Sequence, residues 1–346
     1  LIEAGVVMKP AFCGPCFGAG DVPFNGGFSI RHTTRNFSNR EGSDPNKKQM
    51  ASAALMDAQS IAATSVNGGF LTPATDFDGE FKEYKYWFNP KMYEERVLNC
   101  FGKPEPQTEI VKGPGIGDIP QIPELRENIL LKCTAFITDP VTTTDELIPN
   151  GESSSYRSNF EKIADYTLSA KVPEYVGRCK KVRAWQEKLT NGENPFLSEP
   201  ELIQAAADLK VNGVEIDPAD TCVGSLLYAN RPGDGSAREY AASNQKVLGG
   251  WANICRQYAT KRYRSNLINW GVLPFTYQGD LTFGVGDTIW IPHVRSALLN
   301  GESLLKAYVV SSDGLKEMEL SLDQLTDKER TIISEGCLIN YYKHGN

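Results

Sequence analysis

The sequence predicts an α/β architecture in two domains, on three observations. The chain has 346 residues, beyond the size at which one hydrophobic core stops growing. A stretch dense in proline and glycine, KPEPQTEIVKGPGIGDIPQIP within 101–123, reads as a linker. Beyond it, short apolar runs alternate with helical patterns, as in a sheet whose strands are joined by helices.

Along the first half, residues 3–11 read as a strand that delivers Cys13 at its end, and 17–27, with four glycines and a proline, as loop. A short strand is expected over 30–37. Residues 47–60, KKQMASAALMDAQS, place Met50, Ala54, Leu55 and Ala58 roughly on one face and follow Pro45, which predicts a helix. Small residues continue to the glycines at 68 and 69. In the second half, strands are expected at 129–137, 222–228, 252–254, 272–277, 288–291, 307–310 and 317–322. Helices are expected at 182–189, 199–208 with Pro200 in the first turn, from 239 to the Gly249-Gly250 break, at 256–267 and at 323–337. Residues 161–170 fit either state.

Composition excludes several classes. With 40% hydrophobic and 23% charged residues the chain is globular in character, and no run of eighteen apolar residues predicts a membrane span. A net charge of -7 argues against a general nucleic-acid surface, although a small anion needs only local arginines. Eight cysteines are too sparse for a disulfide scaffold. Six stand singly, at 100, 133, 179, 222, 255 and 337, and read as reduced, mostly buried thiols. Three histidines are too few for a multi-histidine zinc site. The opening LIEAGVVMKPAF lacks the basic and long apolar regions of a signal peptide and reads as a strand entered in mid-course, as if cut from a longer chain.

Two local patterns carry chemistry. Cys13 and Cys16 form a Cys-Gly-Pro-Cys pair before the glycine-rich FGAGD of 17–21. Those glycines oppose the helix that a thiol–disulfide enzyme requires, and a zinc site wants a second pair, which the chain lacks. An iron–sulfur cluster with a third thiolate from elsewhere, a redox pair and structural thiols all remain open. Arg35 and Arg40, five residues apart, and Arg157, behind three serines, offer forks suited to carboxylates, though surface arginines are common. The second pattern is GDGSARE at 233–239. Gly233 and Gly235 permit successive backbone amides to face one concavity, Ser236 stands where a helix start favours a negative oxygen, and Arg238 is close by. A plain helix cap is the simpler reading. No Lys-Ser/Thr comes after it, so the Walker pattern is absent.

Taken in order, these motifs resemble the aconitase superfamily. AFCGPCFGAGD at 11–21 and TTRNFSNR at 33–40 resemble its CGPC-type pair and the NRNFxGR-type segment after it. TTDELIPNG at 143–151 is similar to its TTDHISPAG segment and GDGSARE at 233–239 to its GxGSSRE segment. LGGWANI at 248–254 and NLINWGVLPFT at 266–276 resemble the family's stretch C-terminal to GxGSSRE. The resemblance implies the C-terminal half of a dehydratase–hydratase acting on a hydroxy di- or tricarboxylic acid. Residues 1–95 would be the C-terminal part of an aconitase-like α/β/α third domain, 96–125 a linker, and 126–346 the swivelling β/β/α fourth domain. It implies a [4Fe-4S] cluster with Cys13 and Cys16 as two ligands, Thr34 beside it, and the third cysteine upstream of this sequence. It assigns Arg35, Arg40 and Arg157 to substrate carboxylates, Ser236 to proton abstraction with Arg238 stabilising the anion, and Asp145 to the active-site acid. The partner implied is a set of N-terminal aconitase-like domains, or a subunit carrying them, and the setting the cytoplasm or mitochondrial matrix.

Departures from the family pattern occur at Thr34 (usually Asn), Asn39 (Gly or Ala), Glu146 (His), Ala237 (Ser) and Tyr263 (His). They point away from ordinary citrate–isocitrate isomerisation and toward another hydroxy acid. Two rival readings belong to other classes: a cluster-free RNA-binding relative, opposed by the acidic charge, and a cluster-less structural module.

Overall fold

The computed structural model describes residues 2–8, 23–32, 48–83, 85–95, 97, 99–113, 115–149, 153, 156–236, 238–311 and 314–345, with the side chains of 92 and 238 excepted. The chain divides into two compact units, Leu1–Thr108 and Glu109–Asn346, at a point within the proline- and glycine-rich stretch. Cys13, Cys16, Thr34, Arg35 and Arg40 lie outside the described residues.

In the first unit, β1 (Phe28–Arg31) pairs in parallel with β2 (Ser52–Leu55). The helix expected over 47–60 is thereby corrected. Residues 52–55 give their backbone groups to β1, and a non-local ladder overrides the helical preference of alanine. Helix α1 (Ala58–Val66) starts only after Asp57, whose carboxylate accepts from the Ser60 amide at 2.9 Å and the Ser60 hydroxyl at 2.5 Å. The strand expected over 3–11 begins instead with a 3-10 turn, Ile2–Ala4. A one-turn helix, α2 (Lys91–Glu94), comes later in this unit.

The second unit is built on a closed seven-stranded barrel. Its strands are β3 (Asn128–Ile137), β5 (Thr221–Ala229), β7 (Gly250–Cys255), β8 (Leu273–Thr276), β9 (Thr288–Ile291), β10 (Leu304–Ser311) and β11 (Gly314–Ser321). Strands β3, β5, β7 and β8 run parallel, and β11, β10 and β9 return antiparallel to close on β3. The parallel steps need helical crossovers, supplied by α7 (Arg238–Val247) between β5 and β7 and α8 (Lys261–Asn269) between β7 and β8. Outside the barrel pack α4 (Phe160–Ala164), α5 (Tyr175–Thr190) and α6 (Pro200–Val211), while α9 (Val294–Asn300), α10 (Asp327–Ser334) and α11 (Leu338–Lys343) complete the unit.

Burial explains why β5 reads as an unbroken apolar run: each of its residues is buried. Cys222, Leu226 and Tyr228 join one core with Phe275, Ile289 and Leu320, while Leu227 and Ala229 join a second with Tyr175, Ala241 and Leu267. On β3 the register shifts between Cys133 and Ala135. Up to Cys133 the odd residues belong to the first core; beyond the shift Ala135 and Ile137 belong to the second. That bulge re-aims the end of β3, from which the candidate site is built.

Two expected helices start later than the sequence suggests. Helix α8 begins at Lys261, capped by the Thr260 hydroxyl accepting from the Tyr263 amide at 3.2 Å. Helix α10 begins at Asp327 under a reciprocal Thr326–Glu329 cap and stops at Ser334, so 323–337 is not one helix.

Candidate functional site

Beyond the end of β3 the chain forms β4 (Thr142–Thr143), which pairs in parallel with β6 (Pro232–Asp234), Thr142 opposite Pro232 and Thr143 opposite Asp234. This two-residue ladder sets the TTDEL segment beside the GDGS loop, although the two are far apart in sequence. Helix α3 (Thr144–Leu147) starts immediately after β4. The Thr143 hydroxyl accepts from the Glu146 amide at 3.1 Å, and Glu146 Oε2 accepts from the Thr143 amide at 2.7 Å, satisfying two orphan donors of the helix start. Asp145, half-buried, is therefore held in the first turn of a capped helix.

Glu146 has a second partner. Lys171 Nζ lies 2.6 Å from Glu146 Oε1 and 3.2 Å from Asp139 Oδ2. Partial burial works against the Glu146 carboxylate, but the Lys171 ammonium and the Thr143 amide and hydroxyl outweigh it and hold its pKa below the usual range. The hydrogen bond to Glu146 raises that of Lys171 in turn. At neutral pH the pair is ionised and ties 139, 146 and 171 together.

The GDGS loop is fixed from two sides by contacts only glycine allows. Gly233 has φ +93, and a Cβ there would fall 2.2 Å from Cγ of Tyr263. Gly235 has φ +120, and a Cβ there would fall 2.4 Å from the Thr144 hydroxyl oxygen. Thr260 donates its hydroxyl to the Gly233 carbonyl at 3.1 Å, and the Ala259 amide donates to the Pro232 carbonyl at 3.0 Å. Tyr263 is fully buried, its phenol oxygen accepting from Gln245 Nε2 at 2.7 Å and Asn253 Nδ2 at 3.0 Å. Burial pushes its pKa far up, so it remains a protonated, uncharged support.

Ser236 comes directly after this clamped loop and is exposed, and Arg238 opens the ten-residue α7. Arg157 is half-buried; its backbone carbonyl accepts from the Tyr240 hydroxyl of α7 at 3.2 Å. Asp145 and Ser236 are thus each one residue from the Thr144–Gly235 contact, and the segments carrying Arg157 and Arg238 meet through α7. Sequence reasoning missed Lys171 and the packing of Tyr263 under Gly233. An ion pair between residues so far apart in sequence leaves no local trace, but the carboxylates at Asp139 and Glu146 were the available signals.

Among the described residues no thiol set fits an iron–sulfur cluster. The described grouping of three potential ligands within 4.8 Å is Glu124, Glu335 and His344, without a cysteine. Cys133, Cys179, Cys222, Cys255 and Cys337 are buried, and burial pushes Cys133 and Cys255 up to about 12 and raises Cys179 and Cys222. Those four shifted thiols, at 133, 179, 222 and 255, are held protonated, the opposite of what a thiolate ligand needs. No described helix is long and apolar enough to cross a membrane.

Comparison with known proteins bears on the same segments. Residues 1–63 match the model of the aconitase family (aconitate hydratase), and 225–280 that of the aconitase C-terminal domain. The mitochondrial aconitate hydratase of Aspergillus fumigatus is 28% identical over 303 residues, covering 80% of this chain and 35% of that protein. That of Emericella nidulans is 28% identical over 305 residues with the same coverages. Aconitate hydratase A of Rickettsia felis is 29% identical over 312 residues, 83% of this chain and 32% of that protein. A 3-isopropylmalate dehydratase from Methanocaldococcus jannaschii aligns with 63% of this chain and 94% of its own, at 21% identity and a TM-score of 0.38. The chain spans about a third of the length of the curated relatives it matches. Two segments of the chain match models of this family in the family's order, and the chain is similar to the C-terminal region of aconitate hydratases.

Proposed function

We propose that this chain is the C-terminal part of an iron–sulfur hydro-lyase that dehydrates and rehydrates a hydroxy di- or tricarboxylic acid, with Ser236 as the base. The observation that carries the reading is the β4–β6 ladder, which sets Asp145 and Ser236 on either side of the Thr144–Gly235 contact. A free serine hydroxyl ionises far above neutral pH, so it is a poor base there and needs its developing oxyanion stabilised. Here the two glycines before Ser236 have positive φ, a conformation that permits backbone amides to face one concavity, and the N-terminus of α7, beginning two residues later, adds a positive dipole end. Arg238 is assigned to the same anion, Arg157, Arg35 and Arg40 to substrate carboxylates, and Asp145 to proton transfer.

Cys13 and Cys16, with Thr34 beside them, would hold two irons of a [4Fe-4S] cluster, the third thiolate coming from an N-terminal part or partner subunit. Such a group, when bound, supplies a Lewis acid. Relatives named as mitochondrial favour the mitochondrial matrix, or the cytoplasm, as the setting.

The test is kinetic and uses the assembled enzyme. Ser236→Ala should lower kcat by about a thousandfold or more with KM near normal, as expected for a group used only in the transition state. Arg157→Ala should raise KM and lower kcat together. Ordinary turnover without the serine hydroxyl removes the base assignment.

A further inference from the structure

We propose that the cavity beside the last turn of α7 binds a small uncharged carbonyl compound, of the aldehyde class, which Lys246 captures as a Schiff base. The cavity measures about 380 Å³ and is lined by Ile122, Pro123, Arg183, Gln186, Lys246 and Trp251 among others, a size that suits a small molecule. Lys246 lies two turns beyond Arg238 on the same helix, about 12 Å along its axis, so the cavity is separate from the GDGS loop.

Lys246 is 4% exposed. Its Nζ donates to the Gly271 carbonyl at 3.0 Å and sits 3.1 Å from the centre of the Trp251 ring. Among the described residues no carboxylate pairs with it. The groups facing it are the thiols of Cys222 on β5 and Cys337 at the head of α11, and Arg183 and Glu187 of α5 across the cavity. Desolvation pushes the amine down to about 7, against the smaller opposing influence of the two thiols. About half the molecules then carry a free lone pair at pH 7, against about one in three thousand for an ordinary lysine near 10.5.

The lining sets the charge of the ligand. Arg183 is engaged by Glu161 and Glu187, each at 2.8 Å, and by the Val247 carbonyl at 2.9 Å. Among the described lining residues no cation other than Lys246 itself is left to hold a carboxylate, and Glu187 repels one. In the reaction the Nζ lone pair attacks the carbonyl carbon, a C–N bond forms, and the π electrons pass to oxygen. That oxygen takes up the two amine protons and leaves as water, giving the imine without any oxidant.

The probe is acetaldehyde with sodium cyanoborohydride, applied to the whole chain and read by peptide mass spectrometry. At pH 7 Lys246 should be ethylated at least about tenfold faster than the exposed Lys210, with a rate that levels off above pH 7 while that of Lys210 keeps rising. Lys246→Met should abolish the label on that peptide. Thr190→Trp, at the cavity wall, should slow Lys246 at least about tenfold without affecting Lys210. An unlabelled Lys246 in the folded chain overturns the proposal, as does a rate indifferent to Thr190→Trp. So does a rate that climbs steeply with sub-denaturing urea, because capture would then require unfolding.

Discussion

Gly235→Ala puts the construction of the serine loop to a quantitative test. At φ +120 the backbone sits where an L residue is strained, at a cost of about 1–3 kcal/mol. The new methyl would also stand 2.4 Å from Thr144 Oγ1. Thr144 is 2% exposed in the first turn of a capped helix and has no free space to retreat into, so overpacking adds about 1–3 kcal/mol. The sum is about 4 kcal/mol, within about 2 either way. Thr144→Ala separates the two contributions, because it removes the clashing oxygen and leaves the backbone strain. Gly235→Ala should therefore cost about 2 kcal/mol less in the Thr144→Ala background, a coupling within the range measured for contacting residues. Urea unfolding monitored by tryptophan fluorescence reads this directly: Trp185, Trp251, Trp270 and Trp290 are buried in the barrel unit, and Trp87 is exposed. A Gly235→Ala chain within about 0.5 kcal/mol of wild type, or a cycle with zero coupling, refutes the packing argument.

Lys171→Met should destabilise the chain by about 1 kcal/mol at pH 7, with a defined pH window. The Glu146 pKa is held below 4.5, so its share is present above that value and fades as pH falls through the lower folded one. Lys171 is raised above 10.5, so its share is present below that and fades at more alkaline pH. The difference between the two chains in urea titrations should thus be flat from about pH 5 to about pH 10 and vanish in acid; one that grows in acid contradicts the assignment. Gly271→Ala, at φ +62 and with its Cβ 1.8 Å from the Gly336 carbonyl oxygen, should cost about 3 kcal/mol or more, and a normal melting temperature would contradict that contact. A disulfide reagent at about pH 8 should label Cys100 at once, while Cys133, Cys179, Cys222, Cys255 and Cys337 stay silent until the chain is denatured. Labelling of any of those buried thiols in the native chain counts against the core described for them.

Much of the barrel was legible because β3, β5 and β9 are largely buried on both faces and so read as apolar runs: 129–137, 222–228 and 288–291 lie within or on them. Gly233 and Gly235 were legible because positive φ has a one-residue signature. What stayed hidden depends on distant partners. Residues 52–55 carry alanines that favour a helix locally and form a strand only because β1 lies alongside. The β4–β6 ladder is two residues long, too short for any periodicity. The bulge between Cys133 and Ala135 changes the facing of β3 within an unbroken apolar run, where alternation cannot show it. Among the candidate site residues, Asp145, Arg157, Ser236 and Arg238 fall on segments the fold connects, whereas the cysteine pair and Arg35 and Arg40 rest on the sequence resemblance.

Tyr263 bears on how such a loop behaves across pH. The family pattern has a histidine in the corresponding segment, a side chain that titrates near neutrality. Here a phenol is buried against Gly233, and its burial moves ionisation far above the physiological range. Gln245 and Asn253, neither of which titrates, fix its oxygen. On the other flank Gly235 rests on a threonine hydroxyl, which does not titrate either. The position of Ser236 is therefore set by contacts indifferent to pH between about 5 and 9. Any neutral-range pH dependence of turnover must then arise from substrate or from groups outside this support, and replacing Tyr263 with His should introduce a new one.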